Sequence, residues 1–286
     1  MKLVKYTQHG EGERMGRLDG DEIVPLVSTA GQYQTLTDIL EADDPLGVID
    51  LLADPDTGRL ALDAVTLLPP IDRQEVWAAG VTYIRSRTAR MEESTSAAAC
   101  YDKVYDAPRP ELFLKAMPYR VVGPDKPVRI RLDAAWSVPE PELALVLNSR
   151  MMLAGFTIGN DVSSRDIEGE NPLYLPQAKV YDQSCSLGPC ITLAQAMPEP
   201  ADIGIHLAVL RRHAIVFEGR TNAAQMHRTF RDLIDYLGRD NTFRYGAILL
   251  TGTGIVPDDD FRLKAGDIVN ITIDGIGTLV NSVVQG

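Results

Sequence analysis

The string Val138-Pro139-Glu140-Pro141-Glu142-Leu143-Ala144-Leu145 sets two carboxylates two residues apart, directly ahead of an apolar run. In an extended chain, residues i and i+2 project to one face, and each proline holds the residue before it in extended backbone. Glu140 and Glu142 therefore stand side by side at the mouth of a strand whose continuation, residues 143–147, is apolar enough to be buried. Buried like charges repel each other and lose hydration. A hard cation that prefers oxygen ligands relieves both costs, Mg²⁺ first, with Mn²⁺ or Ca²⁺ as alternatives. The competing reading is a solvated acidic turn.

Three more segments carry candidate chemistry. In Gly155-Phe156-Thr157-Ile158-Gly159-Asn160-Asp161-Val162-Ser163-Ser164-Arg165-Asp166 an apolar strand runs into a polar turn. Asp161 stands at the strand end, as a third carboxylate or, alternatively, as an N-cap for residues 162–167. Three carboxylates leave about three octahedral positions for water and a bidentate substrate. Arg165-Asp166 reads as a structural ion pair or loop clamp. Lys179 is a lone cation in the mostly uncharged stretch 174–182; it is a candidate base or charge stabiliser, or else a solvated loop lysine. Leu249-Leu250-Thr251-Gly252-Thr253-Gly254 ends a strand in a loop of small side chains, hydroxyls and N–H groups. Such loops hold carboxylates or phosphates, although a plain tight turn fits equally. Without a P-loop lysine or a third Rossmann glycine, nucleotide binding is unsupported. His9, His206, His213 and His227 form no triad, and no G-x-S-x-G elbow is present.

The elements that must position these residues are mostly strands. Residues 1–70 read as a small α+β domain: short strands at 2–6, 14–18 and 22–27, then helices at 36–41 and 45–52, closing on the pair Pro69-Pro70. Residues 71–286 carry ten Val/Ile/Leu-rich strand candidates, with helices expected at 82–93 and 223–237, the second capped by Asn222 and Gly238. So many strands with few helices between them give an α+β, mostly β chain rather than a doubly wound sheet.

The bulk properties exclude several classes. A chain of 286 residues with net charge −12 and no Lys/Arg stripe is unsuited to nucleic acid or anionic membranes. No apolar run reaches about 18 residues, so no spanning helix is expected, and the N-terminus turns polar too early for a signal peptide. Cys100, Cys185 and Cys190 form no C-x-x-C and read as inert thiols in a reducing cytoplasm.

At these motifs the chain resembles the fumarylacetoacetate hydrolase family over roughly residues 76–283. Trp77-Ala78-Ala79-Gly80-Val81-Thr82-Tyr83, Glu111-Leu112-Phe113-Leu114-Lys115-Ala116, the Glu140/Glu142 pair, Gly159-Asn160-Asp161-Val162-Ser163, Lys179, Gly188-Pro189 and Thr251-Gly252-Thr253 occur in the family's order. The resemblance implies a mixed β-roll catalytic domain with a small N-terminal domain, assembled as a homodimer or homotetramer. It implies metal binding by Glu140, Glu142 and Asp161, and a small 2-oxo acid substrate. Gly80, Thr82, Tyr83, Thr251, Gly252 and Thr253 would hold the carboxylate end, Arg109 and Glu170 the hydroxylated tail, and Lys179 and Glu111 would handle protons. Within the family, the strings at 105–111, 139–142 and 166–177 are similar to those of its sugar-acid dehydratases. This implies conversion of 2-keto-3-deoxy-D-arabinonate to 2,5-dioxopentanoate and water. One departure supports that choice: hydrolases and decarboxylases of the family often carry a His with a Glu partner on the helix at 83–93, and this stretch has no His. C–C bond hydrolysis, decarboxylation or isomerisation of a 2,4-dioxo or related acid is the alternative.

Overall fold

The computed structural model describes residues 1–28, 31–53, 57–93 and 98–286, without the side chains of residues 90, 92, 93 and 98–101. Cys100 therefore has its side chain outside the described residues, whereas Cys185 and Cys190 are free and buried.

Strand Pro141–Leu147 is buried at every position. Its Leu143, Leu145 and Leu147 enter one core cluster and its Ala144 and Val146 another. Both faces are covered, which is why the sequence there is continuously apolar rather than alternating. The strand pairs antiparallel with Leu153–Asp161 on one side and Ala247–Leu250 on the other. These three form the middle of a 12-stranded mixed sheet. Beyond Ala247–Leu250 come parallel Glu75–Gly80 and antiparallel Glu111–Ala116. Beyond Leu153–Asp161 come Cys185–Leu193, Lys2–Thr7, Arg14–Asp19 and Glu22–Pro25.

Helices Leu36–Leu40 and Pro45–Leu52 cover one face of this sheet. A five-stranded sheet covers the other, in the order Ala214–Asn222, Gly204–Arg211, Ile268–Ile273, Gly277–Gln285, Val128–Ile130. The hydrogen bonding passes unbroken across residue 70, because Lys2 and Leu3 stand opposite Thr192 and Ile191. Among the described residues no helix is long and apolar enough to cross a membrane.

Two expectations change. The helix read over 223–237 is only Phe230–Leu237, capped by Thr229, whose side chain accepts from Asp232 N. Asn222 caps a separate 3₁₀ turn, Ala223–Gln225. Between them His227 N donates to Thr82 O at 2.8 Å, which spends the amide outside any helix. Strand Cys185–Leu193 was read from sequence only as a Gly188-Pro189 motif, since glycine and proline normally punctuate. It runs through both, with its register against Leu153–Asp161 shifting between Phe156 and Ile158.

The two sheets are stitched by Asn281, which is 1% exposed. Its side-chain oxygen accepts from Ser186 Oγ at 2.7 Å, and its amide donates to Gly123 O and Lys126 O at 3.0 and 2.8 Å. Replacing it by alanine removes the bonds to the buried Ser186 hydroxyl and Gly123 carbonyl and to the more exposed Lys126 carbonyl. Denaturant unfolding of Asn281→Ala should show a loss of about 2–4 kcal/mol, and an unchanged midpoint would remove the stitch from this account.

Candidate active site

The antiparallel pairing of Pro141–Leu147 with Leu153–Asp161 builds the site. Pro141 stands opposite Asn160 and Glu142 opposite Gly159, and Asp161 N donates to Glu140 O at 3.0 Å. The three carboxylates are brought together at 4%, 2% and 1% exposure for Glu140, Glu142 and Asp161. One oxygen from each lies within 4.8 Å of the others, a spacing that a hard cation with oxygen ligands can bridge.

Three buried cations surround them. Lys179, at the end of helix Leu175–Lys179, donates to Glu140 Oε2 (2.7 Å), Asp161 Oδ2 (3.0 Å) and Ser163 Oγ (2.6 Å). Arg165, the first residue of helix Arg165–Glu170, donates from Nη1 to Glu140 Oε1 at 2.8 Å. It does not pair with its neighbour Asp166, whose carboxylate instead accepts from Ala135 N at 2.6 Å. Lys115 Nζ lies 2.6 Å from Asp161 Oδ1. Glu142 accepts from Gly252 N at 2.5 Å. Burial, then the charges of Asp161 and Glu140, push the Glu142 carboxyl well above its ordinary value, against the opposing pull of Lys179 and the Gly252 N–H.

The trio opens into a narrow pocket with about 20 Å³ of space open to water. Glu140, Glu142, Asp161, Lys179, Glu111, Gly80, Gly252 and Thr253 of the expected site residues line it. Gly80 is opposite Glu111 in the sheet, and a Cβ there would stand 2.0 Å from Glu111 Oε2, so glycine lets that carboxylate close over the strand. Gly252 has φ +91, and a Cβ would meet Thr82 Oγ1 at 2.0 Å. Thr82, Tyr83 and Thr251 are buried behind the wall and are not among its lining residues. Thr82 Oγ1 donates to Thr251 O at 2.6 Å, and Thr251 Oγ1 to Leu143 O at 2.8 Å. Both hydroxyls thus anchor the Thr-Gly-Thr loop to neighbouring strands. Burial, with Glu142 nearby, pushes the Tyr83 phenol up.

Arg109 and Glu170 are not brought to the pocket. Arg109 is exposed and lies over the Tyr236 ring at 5.5 Å; Glu170 is exposed at the end of its helix. The sequence reading missed Glu168, which is 3% exposed and lines the pocket, and Lys115. Glu168 sits two residues from Glu170 on the same helix, about 200° around its axis, so a helical-wheel reading of residues 165–170 could have separated them. No histidine is among the lining residues; His227 stacks on Tyr105 at 4.3 Å instead.

With this geometry in hand, comparison with known proteins is informative. Residues 87–284 match the family described as Fumarylacetoacetate (FAA) hydrolase C-terminal. A 2-dehydro-3-deoxy-D-arabinonate dehydratase of Saccharolobus solfataricus is 41% identical, over 99% of this chain and 96% of that protein. A Haloferax volcanii protein named "Probable 2-keto-3-deoxyxylonate dehydratase" is 50% identical, over 75% of this chain and 73% of its own length. A solved 2-keto-3-deoxy-D-arabinonate dehydratase, complexed with magnesium and 2,5-dioxopentanoate, superposes with a TM-score of 0.86 at 37% identity, covering 100% of this chain and 99% of that one. The mixed β-roll architecture and the ordered motifs agree with these matches, and the chain belongs to the fumarylacetoacetate hydrolase family.

Proposed function

We propose that this chain is a magnesium-dependent dehydratase that removes water from a 2-keto-3-deoxy sugar acid, converting 2-keto-3-deoxy-D-arabinonate to 2,5-dioxopentanoate. The observation that carries the proposal is the buried trio Glu140, Glu142 and Asp161, set in a pocket lined by Lys179 and Glu111 and by no histidine. The dehydratase complexed with magnesium and 2,5-dioxopentanoate, alike over the whole chain, supports the choice of metal and reaction. A homodimer or homotetramer, which the family resemblance implies, and a cytoplasmic location, which the lack of a disulfide framework favours, complete the proposal.

The trio would hold the ion, which when bound acts as a Lewis acid that polarises the substrate's C2 carbonyl and acidifies C3. Lys179 makes three donations, the full capacity of an ammonium. It is therefore placed as a donor that stabilises negative charge, and Glu111 takes the C3 proton. Loss of that proton and of the C4 hydroxyl leaves a C3=C4 double bond. A proton leaving C5 and one returning to C3 give the C4=C5 enol, whose ketonisation yields the terminal aldehyde. Gly252 and Thr253, with Gly80, line the wall on which the substrate carboxylate would rest. C–C hydrolysis would need an activated water, and the pocket offers no imidazole to activate one.

Glu140→Gln should abolish metal binding and lower kcat/KM by roughly a thousandfold or more. Incubation of the wild-type chain with Mg²⁺ and a panel of 2-keto-3-deoxy and 2,4-dioxo acids should give, by mass, the loss of one water with the skeleton intact. Two carbon fragments, released carbon dioxide, or full activity in Glu140→Gln would overturn the proposal.

The raised Glu142 value adds a pH dependence. A carboxyl whose folded value is raised favours the metal-free fold most below its unfolded value, near 4.5, and that contribution is lost as the pH rises toward the folded value. A metal needs the ionised carboxylate. Calorimetric titration with Mg²⁺ in two buffers of different protonation enthalpy should therefore show proton release in the window above pH 4.5, with affinity weakening as the pH falls. Binding that is indifferent to pH there would count against Glu142 as a ligand.

A further inference from the structure

Lys115 lies on strand Glu111–Ala116 and is 0% exposed. Its ammonium meets the site at three points. It stands 2.6 Å from Asp161 Oδ1, and it donates to Val162 O at 3.0 Å and to Lys179 O at 2.5 Å. It is not among the residues that line the pocket. Asp161 ends strand Leu153–Asp161, whereas Lys179 ends helix Leu175–Lys179 and belongs to a separate segment of chain. Lys115 joins the strand end to the helix end directly, alongside the contact between their own side chains and the bridge through Ser184, which donates to Lys179 O and accepts from Val162 N.

We propose that Lys115 is a positioning residue that fixes the carboxylate of Asp161 and the backbone of Lys179 relative to each other, so that metal affinity and the placement of the Lys179 ammonium both depend on it. The proposal rests on the reading of the carboxylate trio as a metal site. The physical grounds are burial and donor count. A charged ammonium is expensive to bury unless it is paired and hydrogen-bonded, and this one donates to two carbonyls and stands in an ion pair with one carboxylate. Removing it leaves all three acceptors in a place water does not reach. Asp161 then keeps its contact with the Lys179 ammonium, and the Lys179 carbonyl keeps the Ser184 hydroxyl, at 2.9 Å. A partner that orients a ligating carboxylate from behind typically changes metal affinity by about 10–100-fold when it is removed.

The test uses the full chain and Mn²⁺ as a spectroscopic stand-in for Mg²⁺. Mn²⁺ titration followed by electron paramagnetic resonance, well below the melting temperature, should show Kd rising about 10–100-fold in Lys115→Met. Saturating Mn²⁺ should leave kcat depressed while KM moves little, because extra metal does not return Lys179 to its place. A role in the fold alone would lower the melting temperature and spare the Mn²⁺ affinity of the folded variant. A folded Lys115→Met with Kd within about twofold of wild type, or with kcat fully restored by saturating metal, overturns the inference while leaving the metal site standing. A wild-type chain that binds no Mn²⁺ overturns the metal reading and this inference with it. If Lys115→Met does not fold, Lys115→Gln, which keeps a neutral donor, carries the same two readouts. Failure of both to fold while Asp161→Asn folds would assign the ammonium to the fold and overturn the positioning role.

Discussion

Everything about this site follows from the problem of placing three carboxylates within 4.8 Å of one another almost out of reach of water. Such a cluster is unstable alone, since each charge loses hydration and gains two repulsive neighbours. The fold answers with Lys179, Arg165 and Lys115, which take a salt-bridging position on Glu140 or Asp161. Glu142 has no basic partner of its own in that set; it accepts from the Gly252 N–H and keeps its carboxyl pushed toward the protonated form. Cations belonging to the chain thus hold Glu140 and Asp161 in place.

That arrangement explains why these elements adjoin in the fold. The carboxylates lie on two antiparallel neighbours in the centre of the large sheet, where packing on both faces leaves no slack in register. The cations come from three further segments: Lys115 from the strand at one edge of that sheet, Arg165 and Lys179 from two short helices after the strand that ends in Asp161. The Thr-Gly-Thr loop is tied down by hydroxyl-to-carbonyl bonds from Thr82 and Thr251, and this aims the Gly252 N–H at Glu142. Local sequence supplies the acids, and long-range topology supplies their neutralisation.

The sequence was legible where chemistry was local. Glu140 and Glu142 share a face because of a two-residue spacing, and Asp161 sits at a strand end marked by a change from apolar to polar residues; both patterns survive in the structure. Lys115 was not legible. In Leu112-Phe113-Leu114-Lys115 a charged residue at the end of a strand reads as a solvent-facing position, and only the three-dimensional proximity of Asp161 makes burial tolerable. Arg109 and Glu170 lie away from the pocket for the opposite reason. Their types suited a hydroxylated ligand, but the direction of each side chain is set by packing: Arg109 rests on Tyr236, and Glu170 lies on the outer side of a helix whose inner side presents Glu168. The Thr82 and Thr251 hydroxyls were read as ligand contacts because a hydroxyl-rich loop looks the same whether it binds a ligand or its own backbone. The long helix expected from hydrophobic spacing at 223–237 lost its first half to a bond between His227 N and Thr82 O, an interaction 145 positions apart that no periodicity could reveal.

Charge balance bears on which reaction such a pocket tolerates. Among the described residues, Glu111 and Glu168 join the trio as carboxylates around the pocket, and a divalent ion would offset part of that negative charge before substrate arrives. In the proposed dehydration, a proton passing from C3 to Glu111 moves negative charge from one buried oxygen pair to the enolate without adding any to the enclosed volume. The protonated Glu111 can return that proton to the departing C4 hydroxyl, so that water rather than hydroxide leaves. Each transfer keeps the total charge fixed in a medium where an extra unit of charge is costly. Hydrolysis would place a hydroxide equivalent beside these acids, and without an imidazole to share its charge the same pocket would oppose that step. The acid-rich, histidine-free lining thus favours proton transfer within a closed set of groups over the generation of a new anion from solvent.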